Sequence, residues 1–526
     1  MLSHSKQRYS AALTLFVALI AAPAVVAQTP LSAKVTIHAD KPGAEINPDI
    51  FGQFSEHLGH GIYGGLWVGK ASKIPNTDGF RNDVIAALKD LHVPVVRWPG
   101  GCFADEYHWR DGIGPADKRP VTVNTNWGGV PEPNTFGTDE FMKFVDMIGT
   151  KAYVNGNVGT GSPAEMADWL KYMTADQDTT LVRERAANGH PAPYKVPFWA
   201  IGNETWGCGG DMTPDYYANL FRQYSTFLKA PKGSRPLIIA SGGHDDGAPI
   251  WTRTLLEKGG RNVGAITYHY YTIPSRTFDW SHKGNTLGFP EDEWISTLVN
   301  ALKIGSYIAD NIKVMDELDP EKKVALFVDE WGTWYDPEPG REPGFLYQQN
   351  TVRDAVVAAS ELHIFMHHAD RIRMANIAQT INVLQAMILT DGPKMLLTPT
   401  YHVFHMMIPF QGATSLPSDV ETPDYALNGL SVPAISVNAA RDSDGEIVYS
   451  LTNRDPHRPV TVSTVIEGAK AKNVSGLVLT GASMDAHNTF DDPNKVHPVK
   501  FDGAKLSGGK LTVQVPSKSV VVLKLK

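Results

Sequence analysis

The sequence predicts an α/β protein: a (β/α)8 (TIM) barrel followed by a C-terminal, jelly-roll-like β-sandwich. Three observations predict it. Between residues 45 and 405, short apolar β-branched runs alternate with helical patterns, which is the signature of parallel strands joined by crossover helices. Over residues 406–526 the helical period vanishes, and short alternating runs split by Gly, Asn, Asp and Pro replace it. A chain of 526 residues also exceeds one ordinary domain.

Taken in order, the elements justify that reading. Leu31–His38 alternates like a half-buried strand, and the segment 28–44 is expected to join the sandwich, so that domain draws on both ends of the chain. The expected barrel strands are Ile50–Glu56, Pro94–Gly101, Lys151–Gly159, Phe198–Glu204, Pro236–Gly243, Ala265–Tyr271, Val324–Gly332 and Ile372–Thr380. Helices fall between them. One starts at Ser162, where Ser162 and Glu165 spell a capping box. Another starts at Thr213 with Pro214 at its first position, and a third runs from Val352 to Met366. A doubly wound open sheet, the alternative, usually carries a glycine-rich phosphate turn after its first strand, and none is present there. In the last part, Ala434–Asn438, Ile447–Thr452, Val460–Ile466, Val474–Leu479 and Leu511–Lys526 read as sandwich strands.

Composition narrows the function. A formal net charge of -8 is modest for this length and speaks against a nucleic-acid-binding face, in favour of a neutral substrate. Residues 1–27 read as a signal peptide: Lys6 and Arg8, then an apolar run from Ala11 to Ala22 too short to span a bilayer comfortably, then Val25 and Ala27 at a cleavage site. The expected protein is therefore exported, periplasmic or extracellular, with no membrane association once the signal is removed. The two cysteines, Cys102 and Cys208, are too few for a disulfide framework or a zinc set. Gly64–Lys70 imitates a phosphate-binding loop, but Ala71 replaces the Ser or Thr that holds magnesium. The adjacent His367 and His368 lack any second metal-binding motif. No metal or organic cofactor is expected.

In such a barrel the reactive groups sit at the C-terminal strand ends. Several expected strand ends here carry polar side chains: Glu56 and His57 on strand one, Arg97 to Cys102 on strand two, Asn203 and Glu204 on strand four. His269, Tyr270 and Tyr271 follow on strand six, Asp329, Glu330 and Trp331 on strand seven, and Asn376 and Gln379 on strand eight. Glu204 and Glu330 matter most. Each closes an apolar strand, each has a Trp nearby (Trp206, Trp331), and carboxylates on strands four and seven point into one cleft. Glycoside hydrolysis needs that pair: one carboxyl protonates the leaving oxygen, and the other attacks the anomeric carbon or activates water. Asn203 can hydrogen-bond a sugar 2-hydroxyl. Rival readings are an endo-glucanase or β-xylosidase on the same scaffold, or a non-catalytic carbohydrate-binding protein.

The motifs Asn47–Gly52 with Glu56–Gly59, Arg97–Asp105, Asp111–Pro115, Arg185–Pro191, Gly202–Glu204 with Trp206–Gly210, and Asp329–Trp331 occur in order along residues 45–405. On these the sequence resembles the glycoside hydrolase family 51 α-L-arabinofuranosidases. The resemblance implies a retaining, exo-acting enzyme that frees terminal arabinofuranose from arabinan, arabinoxylan or related oligosaccharides, with Glu204 as acid/base and Glu330 as nucleophile. It implies furanose contacts from Glu56, Cys102, Trp127, Asn203, Tyr271 and Gln379, supporting roles for Arg97 and His269, and a homo-oligomer. Placing Cys102 in the sugar pocket favours two free thiols over a Cys102–Cys208 bridge, although both follow strands of the catalytic face. The loop Thr272–Glu293 departs from the family pattern by its length and holds Phe278, Trp280, His282 and Lys283.

Overall fold

A computed structural model describes residues 31–526. The expected signal segment lies outside the described residues. The first strand, β1 (Leu31–His38), belongs to the sandwich, and eight parallel strands then close a barrel in chain order: β2 (Gly52–Phe54), β3 (Val95–Trp98), β4 (Lys151–Gly156), β5 (Phe198–Ile201), β6 (Leu237–Ala240), β7 (Ala265–Thr272), β8 (Ala325–Thr333) and β9 (Ile372–Ala378). The (β/α)8 barrel is thus as the alternation predicts.

The first barrel strand is shorter than its apolar run. Asn47 accepts a hydrogen bond from the Asp49 amide, Pro48 holds the next position, and residues Pro48–Phe51 wind into a 3-10 turn before β2. Ser162 caps the helix Pro163–Thr174 by accepting from the Glu165 amide, but the Glu165 carboxylate pairs with His108 at 2.8 Å, so the box is half formed. Below the catalytic end, Val95, Tyr153, Ala200, Ile239, Ala265, Ala325, Phe327 and Met374 fill the barrel interior. This packed plug gives the strand ends above it a rigid floor.

The sandwich has two sheets. One orders Ser418–Glu421, β1, Val460–Glu467, Lys510–Val515 and Ala504–Ser507; the other orders Thr414–Leu416, Ile435–Arg441, Ile447–Asn453, Ser519–Leu525, Val474–Leu479 and Val499–Lys500. The final run is two strands, because Pro516 has no amide to donate and Lys518 takes a left-handed φ of 42°. β1 lies parallel to Val460–Glu467.

The helix Val352–His367, which follows β8, packs between the two domains. Its side chains are buried nearly all round, and His363 joins Ser436 and Ser450 of the sandwich through its two ring nitrogens, each at 2.8 Å. Burial holds that imidazole well below its ordinary pKa, so it is neutral. Among the described residues, no helix is long and apolar enough to cross a membrane.

Candidate active site

The polar strand ends meet in one network around Arg97 and His269, both buried. Arg97 Nη1 donates to Glu330 Oε1 at 2.7 Å and Nη2 donates to Asn203 Oδ1 at 2.5 Å, while its Nε faces Asp329 Oδ2 at 3.3 Å. Tyr271 donates its hydroxyl to the other oxygen of Glu330 at 2.8 Å. Both nucleophile-candidate oxygens are therefore held, one by a guanidinium and one by a phenol. His269 Nδ1 lies 3.0 Å from Glu204 Oε1, and Nε2 lies 3.1 Å from Asp329 Oδ1. Burial alone would lower the His269 pKa, but the charges of Glu330 and Asp329 outweigh it and push it up to about 10. The ring is then an imidazolium at neutral pH and donates on both sides. Asp329 is held below the usual carboxylate range: burial opposes this, and Arg97 and His269 override it.

Through His269 the two glutamates come together: one oxygen of Glu204 and one of Glu330 lie within 4.8 Å of each other. They differ in access to water. The Glu204 side chain is 18% exposed, the Glu330 side chain 6%. The turn at Glu204 is unusual for a non-glycine residue, with φ 40°, and follows Gly202 at φ 80°. A Cβ at Gly202 would fall 2.3 Å from Val158 Cγ1, so only glycine lets the chain turn there and lift Glu204 into the cleft.

A second cluster surrounds Glu56. Its oxygens accept from the Phe103 amide at 3.0 Å, Trp127 Nε1 at 2.8 Å and Gln379 Nε2 at 3.1 Å. Burial, then the charge of Glu330, pushes Glu56 up to about 7. Gly101 must be glycine because a Cβ there would sit 2.7 Å from both Glu56 oxygens. Every predicted site residue except Cys102 joins one of these two networks through a side-chain hydrogen bond.

Cys102 requires a correction. It is not a thiol but is bonded to Cys208, with Cα atoms 5.5 Å apart. The turn after β5 curls back on itself, the amides of Gly207 and Gly209 both donating to the Glu204 carbonyl, and this swings Cys208 over to the start of the loop after β3. The sulfurs lie 4.0 Å (Cys102) and 3.5 Å (Cys208) from Glu204 Oε2 and, having no hydrogen, cannot donate to it. Oε2 is thus left for chemistry, while Oε1 is tied to His269.

Two further expectations fail locally. Trp331 is fully buried against Phe365 and Phe404, on the helix side of the barrel, and Asn376 donates to the Gln53 carbonyl as a structural residue. Sequence reasoning gave no role to Asp105, although it lies in the motif after strand two. Asp105 accepts from the amides of Val158, Gly159 and Asn203 at 2.7, 3.0 and 2.8 Å, and burial pushes it up to about 7. It fixes the backbone that presents Asn203 and Glu204. Tyr153 was passed over as core; its hydroxyl donates to Asp329 at 2.7 Å.

A (β/α)8 barrel presenting two facing carboxylates at strands four and seven, each oriented by buried donors, defines a glycoside hydrolase. An α-L-arabinofuranosidase 1 domain model matches residues 87–284, and an α-L-arabinofuranosidase C-terminal domain model matches 329–519. An intracellular exo-α-L-arabinofuranosidase of Bacteroides ovatus is 47% identical, the alignment covering 94% of this chain and 96% of that one. The crystal structure of a family 51 arabinofuranosidase from Xanthomonas axonopodis pv. citri superposes with a TM-score of 0.93 at 50% identity, covering 94% of this chain and 100% of that one. An α-L-arabinofuranosidase from Thermotoga maritima, solved as an arabinose complex, gives 0.82 at 30% identity, covering 94% and 99%. The chain belongs to glycoside hydrolase family 51, the α-L-arabinofuranosidases, a family that retains anomeric configuration.

The same comparison corrects the expected export, since the Bacteroides ovatus relative is named intracellular. A basic start followed by an apolar run is a compositional pattern of little specificity, and it is outweighed by likeness over nearly the whole chain.

Proposed function

We propose that this enzyme releases terminal α-L-arabinofuranose from arabinan, arabinoxylan or related oligosaccharides by double displacement. Glu330 attacks the anomeric carbon while Glu204 Oε2 protonates the leaving oxygen; Glu204 then accepts a proton from the water that hydrolyses the glycosyl-enzyme. The carrying observation is the approach of the two carboxylates to within 4.8 Å, which suits the short separation of roughly 5–5.5 Å used for retention. The greater exposure of Glu204 gives it access to water in the second step. Arg97 and Tyr271 fix both oxygens of Glu330 for attack. Asn203, Glu56, Gln379, Trp127 and the Cys102 sulfur form the furanose pocket. The active particle is a homo-oligomer, which light scattering on the purified chain would test.

Azide separates the two carboxylates. Glu204→Ala should lose about 10²–10⁴-fold on natural glycosides yet keep the first step on aryl arabinofuranosides with good leaving groups, which need no protonation. Added azide should accelerate its turnover and yield the α-configured arabinofuranosyl azide. Glu330→Ala should lose both steps. A β-configured azide from Glu204→Ala would reverse the assignment.

A further inference from the structure

The loop between β7 and the helix Glu291–Leu318 is the part of the catalytic face that departs most from the family pattern, and it carries an exposed tryptophan, Trp280, at 44% exposure. Three aromatic rings lead from the nucleophile to it. Tyr271, bonded to Glu330, meets Trp334 edge to face with centroids 5.0 Å apart; Trp334 meets Trp280 in the same way at 5.6 Å. Trp334 belongs with Trp127 to the apolar cluster around Tyr271, so this file of rings continues the wall of the sugar pocket outward.

Trp280 is held, not trailing. Asp336, six residues beyond Glu330, accepts from the amides of Lys283 and Gly284 at 3.0 Å each, and its own amide donates to the Gly284 carbonyl at 2.9 Å. Lys283 Nζ donates to the Trp280 carbonyl at 3.1 Å. On the other side Phe278 stacks on Tyr270 at 6.1 Å and meets the Trp280 ring at 5.9 Å. The segment that carries the nucleophile therefore also positions this loop. A large ring fixed by so many hydrogen bonds, yet left open to water at the mouth of a cleft, is the arrangement of a binding wall.

Resting on the arabinofuranosidase reading above, we propose that Trp280 is a specificity-determining residue: it forms the outer wall of a subsite for the leaving portion of the substrate, a neutral oligosaccharide at least two sugars long, whose C–H face packs on the indole. An aryl group or a single sugar leaving from the pocket does not reach it, being confined to the Tyr271 and Trp334 end of the wall.

The test compares kcat/KM on 4-nitrophenyl α-L-arabinofuranoside with kcat/KM on arabinotriose and on an arabinose-substituted xylo-oligosaccharide, for the wild type, Trp280→Ala and Trp280→Tyr. The expected result for Trp280→Ala is a fall on the oligosaccharides on the order of tenfold greater than that on the aryl glycoside, carried by KM, with Trp280→Tyr recovering most of it. Loss on only one oligosaccharide would still support the subsite and identify the chain it takes. Equal losses on aryl and oligosaccharide substrates, or no loss on any, would overturn the proposal. A wild-type enzyme inactive on the aryl arabinofuranoside would instead overturn the arabinofuranosidase reading itself.

Discussion

Asp329 and His269 form the charged hinge of the site. With Arg97 they place two cations and two carboxylates, Asp329 and Glu330, in a nearly dry interior. Removing one member leaves the others uncompensated, so Asp329→Asn should destabilise the enzyme by about 3–5 kcal/mol, measured by urea unfolding. A loss below about 1 kcal/mol would mean that water reaches the cluster. The pKa of His269, pushed up to about 10 in the fold, gives a pH signature. Because the folded value lies above the unfolded value of about 6.5, its contribution is full below that pH and is lost as pH rises through 10. The melting temperature of the wild type should therefore decline over this window more steeply than that of His269→Gln, and parallel curves would contradict the assignment. At this scale the sequence was unevenly legible. Glu204, Glu330, Arg97 and Tyr271 declare themselves as polar groups closing apolar strands. Asp329 does not, because strict alternation turns it away from Glu330; irregular pairing between Val328 and Trp331 brings both consecutive carboxylates to the site.

Among the elements, the turns after β3 and β5 set the geometry of the acid/base, and the disulfide ties them. Its two ends are 106 residues apart, and closing a loop of that length removes unfolded-state entropy worth up to about 4–5 kcal/mol, with typical measured gains of 2–4 kcal/mol. Ellman titration of the unfolded, unreduced protein should find no thiol, and Cys208→Ser should lower stability by roughly 2–4 kcal/mol. Two reactive thiols per chain would refute the bond. Sequence could place both cysteines on the catalytic face but could not show that they meet. That depends on the left-handed conformation of Glu204 and the backward curl behind it, which no propensity encodes. Trp331 misleads for the opposite reason: a Trp beside a catalytic Glu reads as a sugar platform, yet the next residue along a strand faces the other side, and here it anchors the helix layer.

For the whole molecule, the position of β1 is decisive. It is an interior strand of its sheet, paired on one side with Ser418–Glu421 and on the other with Val460–Glu467, and it buries Ala33, Val35 and Ile37. Deleting residues up to 38 should cost at least about 3 kcal/mol from those side chains and lower the unfolding temperature, followed by calorimetry. An unchanged transition would show that the sheet closes without it. The same placement governs how the protein is born. His38 finds Glu467 across 429 residues of chain. At about 5–20 residues per second, the ribosome takes roughly 20–90 s to deliver that partner. Through that interval the earliest strand has both hydrogen-bonding edges open while the barrel assembles behind it. The enzyme's yield in the cell should then depend on what shields one eight-residue strand during its own synthesis.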